Sequence, residues 1–186
     1  MNKQVGAADD HNTDSLFEPA ERRALVDAIH ACPGMIVLSV TGGGMASITD
    51  LMLVPGASRT ILELSVPYSG AALAQLIGTE ADGAVSPDTA RLMARACWVR
   101  ARQLCPDEDV PVFGIACTAA LVTDRDRRGE DRACLASASA ADTQNVEVVL
   151  NKRSADAADV GRVEQDRVVA DKVLALIAST LGATPA

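Results

Sequence analysis

Residues 35–44, Met35-Ile-Val-Leu-Ser-Val-Thr-Gly-Gly-Gly44, decide the fold class of this chain of 186 residues. The run up to Val40 is apolar apart from Ser39, which is typical of a parallel strand covered on both faces. Three glycines then end the strand, and residues 45–54 can form a helix that stops before a Pro-Gly pair. A buried strand, a Gly-rich turn and a helix in this order predict an α/β domain.

The rest of the chain continues this alternation. Apolar runs at 59–66 and 110–118 predict two more buried strands, and residues 132–150 predict an antiparallel hairpin around the polar turn at Asp142. Helices are predicted between and around these strands, at 19–32, 71–77, 86–105 and 160–181. The expected fold class is therefore α/β, a three-layer α/β/α sandwich with a mixed, mostly parallel sheet.

The composition fits one folded domain. Hydrophobic residues make up 48% of the chain, which is enough for a packed core, and the length is short for two domains. Aromatic residues are few, namely Phe17, Tyr68, Trp98 and Phe113. We expect residues 1–14, which are polar, to be a disordered leader, and residues 15–186 to form the single domain.

Charge and cysteine usage exclude several classes of function. The formal net charge of −8 argues against nucleic acid as a partner. The N-terminus lacks a secretory signal and no apolar stretch reaches membrane-spanning length, so we expect no membrane partner and a cytoplasmic protein. The five cysteines form no Cys-x-x-Cys pair and only His11 and His30 are available beside them, so we expect free thiols and no metal site.

Polar side chains follow three of the predicted strands where each strand ends. Ser39 and Thr41 close the first strand, Tyr68 follows the second and Thr118 closes the third. Ligands of open α/β sheets gather at the carboxyl ends of the strands. If the three strands are parallel neighbours, these four side chains converge on one site.

The glycine turn is a candidate for anion binding. Gly42, Gly43 and Gly44 allow close approach to the backbone, and the following helix offers free N–H groups and a partial positive charge. These N–H groups would hold a phosphate, or the oxyanion that forms when an amide is attacked. The alternative is a tight turn with only a structural role.

Two groups of arginines are candidates for contacts. The loop at 124–132 carries Arg125, Arg127 and Arg128, which would clamp an anionic ligand unless the loop is simply a solvated charged segment. Arg91 and Trp98 share one face of the helix at 86–105. That face is either solvent-exposed or a subunit contact, for which a homodimer is the expected form.

An ordered series of short motifs resembles the CinA C-terminal domain family, which includes nicotinamide mononucleotide (NMN) deamidases. The family's strand ends in Glu-Ser-Cys-Thr-Gly-Gly, and its later motifs include Val-Pro-Gly-Ser-Ser, Tyr-Ser-Asn-Glu-Ala-Lys and Gly-Ala-Val-Ser-x-x-Thr-Ala. This chain carries the corresponding segments, in the same order and with matching spacing, at 38–43, 54–58, 68–69 and 83–90, and 117–120 falls at the family's Thr-Gly-Ile-Ala turn.

The resemblance implies a three-layer α/β/α fold and hydrolysis of the carboxamide of NMN with release of ammonia. The family's serine nucleophile falls on Ser39, its motif tyrosine on Tyr68 and its turn threonine on Thr118. The implied ligand is a small-molecule nucleotide, and from the residues discussed above we expect Thr41, the glycine turn and the loop arginines to bind it. No metal or redox cofactor is implied.

Some motif positions differ from the family pattern, as in a divergent branch. The glutamate before the motif serine is Leu38 here, the lysine that closes the tyrosine motif is Leu73, and the glycines of the later turn are replaced at 119–121. A lost proton-transfer group commonly lowers the rate by a factor of ~10²–10⁴. Two hypotheses therefore stand side by side: an amidohydrolase acting through Ser39, and a catalytically silent nucleotide-binding or protein-interaction domain of the same fold.

Overall fold

The computed structural model describes residues 16–125, 128–151 and 158–185. Within these ranges the helices are α1 (Pro19–Ala31), α2 (Met45–Leu53), α3 (Gly70–Ile77), α4 (Pro87–Leu104) and α5 (Ala158–Leu181), with a 3₁₀ turn at Ala57–Arg59. The strands are β1 (Met35–Thr41), β2 (Ile61–Ser65), β3 (Val112–Ala120), β4 (Arg132–Ala138) and β5 (Thr143–Val149). The leader predicted at 1–14 lies outside the described residues.

The described strands form one mixed sheet in the order β2-β1-β3-β4-β5. β1 pairs in parallel with both β2 and β3, whereas β4 and β5 form the antiparallel hairpin beside β3. Parallel and antiparallel pairings are thus equal in number, because the hairpin supplies both antiparallel ones. The predicted α/β class with a mixed sheet is confirmed.

Helices cover both faces of the sheet, and the side chains of β1, which alternate between the two faces, pack against helices on each side. Ile36, Leu38 and Val40 pack in one core cluster with residues of α1, α2 and α5. Val37 packs in another with Cys97 of α4, and α3 contributes its residues on this same side. Val37 and Ile115 are both buried, as expected for interior strands. The result is the predicted three-layer arrangement.

Local sequence explains where the helices begin. Ser86 caps α4 by accepting the backbone N–H of Thr89 at 3.1 Å, and Pro87 fills the first helical position. At α1, Glu18 and Glu21 form a reciprocal capping box next to Pro19.

A buried ionic cluster joins α1, α2 and α5. The carboxylate of Asp171 is fully buried and lies 2.7 Å from Nε of Arg22 and 3.3 Å from Arg167. Arg167 also pairs with Asp50 of α2 at 2.5 Å. The backbone N–H of Leu16 donates to Asp171 at 2.9 Å, so the cluster also holds the chain that enters α1.

All five cysteines are free in the structure. No helix in the described ranges combines the length and the apolar character that crossing a membrane requires.

Candidate functional site

The carboxyl ends of β1, β2 and β3 lie side by side, as the sequence predicted. Ser39 stands opposite Ser65 of β2 in the parallel register, and Thr41 stands opposite Thr118 of β3. Since side chains alternate along a strand, Ser39 and Thr41 share the face of Val37, which is covered by α4. Three of the four predicted site residues therefore converge beneath α4, in the interior of the protein.

Ser39 is fully buried and its hydroxyl is held by two neutral groups. Its Oγ lies 2.5 Å from Oγ of Ser65, and the thiol of Cys97 donates to it at 3.2 Å. Burial raises the pKa of Cys97 to about 11, against the weaker opposing effect of the Ser39 hydrogen bond, so the thiol stays protonated near neutral pH. Neither partner can remove the serine proton there, which a serine nucleophile requires.

Thr118 and Arg132 hold the loop between α3 and α4 over the strand ends. The hydroxyl of Thr118, itself buried, donates to the carbonyl oxygen of Ala84 at 2.6 Å. Arg132 donates to the next carbonyl, of Val85, at 2.9 Å. The Gly-Ala-Val-Ser segment of the sequence motif is thus pinned across the site by side chains of β3 and β4.

Tyr68 and Leu73, the two positions of the tyrosine motif, differ sharply in their exposure to solvent. The side chain of Tyr68 is 68% exposed at the start of the segment that leads to α3. Leu73 is only 4% exposed and packs with Met93 of α4. An apolar, packed side chain therefore occupies the position of the family's lysine, while the tyrosine faces solvent.

The glycine turn lies against β3 and α5. Gly42 and Gly44 have left-handed backbone angles, with φ of 78° and 83°. A Cβ at Gly42 would collide with the carbonyl oxygen of Ala119, so this turn requires glycine for close backbone packing.

The N–H groups of the turn already hold an anion from the same chain. The carboxylate of Asp166 on α5 accepts the backbone N–H groups of Met45 and Ala46 at 2.9 and 3.0 Å. Arg162, one turn earlier on α5, donates to the carbonyl oxygen of Gly42 at 3.2 Å. A phosphate at the start of α2 would have to replace the Asp166 carboxylate.

The loop arginines are on the surface. The side chain of Arg125 is 89% exposed and lies 3.7 Å from Asp124, and Arg128 is exposed. Arg127 lies outside the described residues. Arg132, which the sequence placed at the end of this loop, instead begins β4 and reaches the strand ends.

The sequence reasoning missed Ser65, Asp166 and Arg162. Ser65 had a signal, because it ends the strand that neighbours β1. Asp166 and Arg162 belong to an ordinary amphipathic helix, and nothing in the sequence links them to a turn about 120 residues earlier. Among the described residues, no group of three or more His, Cys, Asp or Glu side chains is placed to hold a metal ion.

Comparisons with known proteins identify the fold. No protein-family model and no curated protein matches the chain. A competence/damage-inducible protein, CihA, from Agrobacterium tumefaciens superposes with a TM-score of 0.65 at 19% identity, covering 88% of this chain and 97% of that one. A CinA superfamily protein from Enterobacter cloacae gives a TM-score of 0.56 at 18% identity, with 97% and 99% covered.

A competence or damage-inducible protein from Enterobacter asburiae gives a TM-score of 0.58 at 17% identity, covering 87% of this chain and 95% of that one. These likenesses extend over nearly the whole of each chain, while the sequences have diverged widely. The resemblance drawn from the motifs is thus confirmed at the level of the fold. The chain has the fold of the competence/damage-inducible (CinA) superfamily proteins.

Proposed function

We propose that this chain is a catalytically silent CinA-fold domain that binds a small phosphorylated nucleotide of the pyridine type. The observation that carries the proposal is the surroundings of Ser39, whose buried hydroxyl is hydrogen-bonded to Ser65 and to the protonated thiol of Cys97. In addition, the family's motif lysine is replaced by Leu73 in this chain. A serine without a proton acceptor does not attack an amide at a useful rate.

The region around the carboxyl ends of β1, β2 and β3 nevertheless retains groups that are suited to binding a phosphorylated pyridine nucleotide. The exposed ring of Tyr68 offers a flat surface for stacking a pyridine or a base. The guanidinium of Arg132 is fixed at the strand ends by the Val85 carbonyl, and Arg125 and Arg128 stand exposed on the connection that leads to β4. Arginine is the side chain best suited to binding a phosphate in a forked geometry.

The second candidate function is deamidation of NMN through Ser39. One observation favours deamidation: the hydroxyls of Ser39 and Ser65 lie 2.5 Å apart at the carboxyl ends of β1 and β2, where one hydroxyl can orient the other for attack. In this mechanism a base must reach Ser39, and Tyr68 is the candidate that the sequence motifs offer. Activity would rise towards alkaline pH and disappear in both Ser39→Ala and Tyr68→Phe.

One pair of measurements separates the two functions. Calorimetric titration measures NMN binding, and an ammonia-release assay from neutral to alkaline pH measures turnover, each on the parent, Ser39→Ala, Tyr68→Ala and the exposed control Ser58→Ala. The silent domain binds NMN, loses affinity only in Tyr68→Ala, and releases no more ammonia than Ser39→Ala. Ammonia release by the parent that Ser39→Ala abolishes would establish the amidase instead. A parent that neither binds nor hydrolyses NMN would refute both.

A further inference from the structure

A cavity of about 390 Å³ lies at the amino end of β3, away from the site described above. Val112, the first residue of β3, lines it, whereas Thr118 lies near the other end of the same strand. At about 3.3 Å per residue the two places are roughly 20 Å apart. The residues that matter for the argument come from α4, the segment after it, β3 and the β4–β5 turn: Trp98, Arg102, Glu108, Phe113 and Ser139.

Trp98 and Phe113 both line this cavity, but the ring of Phe113 packs with the core cluster on the opposite face of the sheet. Trp98, which packs on the α4 face, therefore supplies the aromatic wall. Trp98 is held in place from one side, because the guanidinium of Arg95 stacks 4.3 Å from the centre of its ring. Arg95 is itself fixed by a 3.1 Å hydrogen bond to the carbonyl oxygen of Ser139. The cavity therefore has a fixed aromatic wall, of the kind that binds a flat ring.

The cavity also presents one cation and one anion that do not pair with each other. Arg102 donates to the carbonyl oxygens of Pro106 and Asp107 at 3.3 and 3.2 Å, which orients its guanidinium without neutralising it. Glu108 is exposed at the rim. Within the part of the chain that the structure describes, neither residue takes part in an ion pair. Separate opposite charges beside an aromatic wall are complementary to a zwitterion that carries a ring.

We propose that this cavity binds a free aromatic α-amino acid. The ring of the ligand lies against Trp98, its carboxylate binds Arg102, and its ammonium group faces Glu108. A cavity volume of about 390 Å³ accommodates a molecule the size of phenylalanine and lies within the usual range for small-ligand sites. No residue of the Ser39 site takes part, so this site stands apart from the proposed nucleotide function.

Trp98 makes the proposal directly testable, because it is the only tryptophan of the chain. L-Phenylalanine is titrated into the 186-residue chain, and the tryptophan fluorescence is followed at an excitation wavelength that excites neither phenylalanine nor tyrosine. The expected result is a saturable change, with affinity at the weak, millimolar level typical of a ligand this small. Three analogues divide the recognition into its parts: 3-phenylpropionate lacks the ammonium group, phenethylamine lacks the carboxylate, and L-alanine lacks the ring. Each should bind about three- to tenfold more weakly.

Two variants test whether Arg102 binds the carboxylate of the ligand and Glu108 its ammonium group. Arg102→Gln should weaken phenylalanine about three- to tenfold and leave phenethylamine unchanged, while Glu108→Gln should weaken phenylalanine and leave 3-phenylpropionate unchanged. Glu147→Gln, an exposed glutamate on β5, is the matched control and should bind as the parent does. Circular dichroism verifies that each variant is folded. The proposal is overturned if the parent shows no saturable change, if the analogues bind as tightly as phenylalanine, or if folded Arg102→Gln keeps the parent's affinity.

Discussion

The carboxylate of Asp166 receives the backbone N–H of Met45 at 2.9 Å, and through its other oxygen that of Ala46 at 3.0 Å. Met45 begins α2, and Gly44 before it has no side chain with which to cap the helix. A residue of α5 therefore supplies the missing cap, and its negative charge faces the positive end of the α2 dipole. The glycine turn and α5 are thereby locked into one unit.

Removing this carboxylate should destabilise the protein and expose an anion site. We expect Asp166→Ala to lower the free energy of unfolding by about 1–2 kcal/mol, the usual range for a lost helix cap. Inorganic phosphate should then raise the melting temperature of the variant by more than that of the parent, because only the variant has free N–H groups at the turn. Urea unfolding and thermal melts with and without phosphate measure both effects.

The control for this prediction is Asp27→Ala, which removes an exposed carboxylate that lies 3.9 Å from Arg23. Its stability should stay within about 0.5 kcal/mol of the parent, and phosphate should have no effect on it. If phosphate stabilised the parent as strongly as Asp166→Ala, removal of the carboxylate would not have opened an anion site at the turn. A substitution of Gly43 itself would be a poorer test of the turn, since an added Cβ there would lie 2.9 Å from the side chain of Leu121 and disturb the packing.

The fold was predictable because its signals are local. The apolar run at 35–40 and the run at 110–118 mark buried strands, and the polar turn at Asp142 marks the hairpin. The structure has strands at Met35–Thr41 and Val112–Ala120, and β4 and β5 form the hairpin. Hydrophobic period and turn residues set these elements, so a single sequence suffices to find them.

The contacts of the site were not predictable, because they connect distant segments. The sequence indicates that Ser39 and Thr118 lie at neighbouring strand ends, and they do. It carries no signal that Ser39 is sealed beneath α4 by Cys97, or that Asp166 occupies the N–H groups of the turn. Such contacts depend on the rotation of α4 and α5 about their axes, which packing of the whole domain decides.

Asp171 should be among the most sensitive positions of the α1–α2–α5 layer. Asp171→Asn keeps the shape of the side chain and removes the charge that faces Arg22 at 2.7 Å and Arg167 at 3.3 Å. The two guanidinium groups lose their fully buried partner and keep only the half-buried Asp50, 2.5 Å from Arg167 and 3.9 Å from Arg22. The expected loss is about 3–5 kcal/mol in the free energy of unfolding, measured by urea denaturation. The control is Asp27→Asn, which neutralises an exposed carboxylate of α1 and should change the free energy of unfolding by less than about 0.5 kcal/mol. A loss for Asp171→Asn as small as for the control would contradict a stabilising role of this cluster.

Buried thiols should make the protein sensitive to alkaline pH. Burial raises the pKa of Cys97 from 9.0 to about 11, so the folded state keeps the thiol protonated where the unfolded chain ionises it. This contribution to stability is fully present below about pH 9 and is lost as the pH rises through about 11. Between about pH 9 and 11, ionisation of Cys97 in the unfolded chain lowers the free energy of unfolding by about 1.4 kcal/mol per pH unit.

The test compares the pH dependence of the parent with that of Cys97→Ala, using urea unfolding between neutral and alkaline pH. The variant should lose less stability than the parent across the window, even though its stability at neutral pH is lower. Ser58→Ala changes an exposed residue without an ionisable side chain and should show the parent's pH dependence. Identical alkaline losses in the parent and Cys97→Ala would show that the Cys97 thiol does not drive the effect.

Gly114 sets the distance between α4 and the sheet, and with it the position of Trp98. A Cβ at this position would collide with two backbone atoms of α4, the carbonyl oxygen of Ala94 and the nitrogen of Trp98. Backbone atoms cannot move aside as a flexible side chain can, so Gly114→Ala must push the helix off β3 and open the core. We expect a loss of about 3 kcal/mol or more in the free energy of unfolding, together with a red-shifted Trp98 emission as the ring becomes wetter. Gly83→Ala, where nothing lies within 4 Å of an added Cβ, is the matched control and should leave both quantities near their parent values. A Gly114→Ala protein with the parent's stability and emission would mean that α4 does not pack this closely on β3.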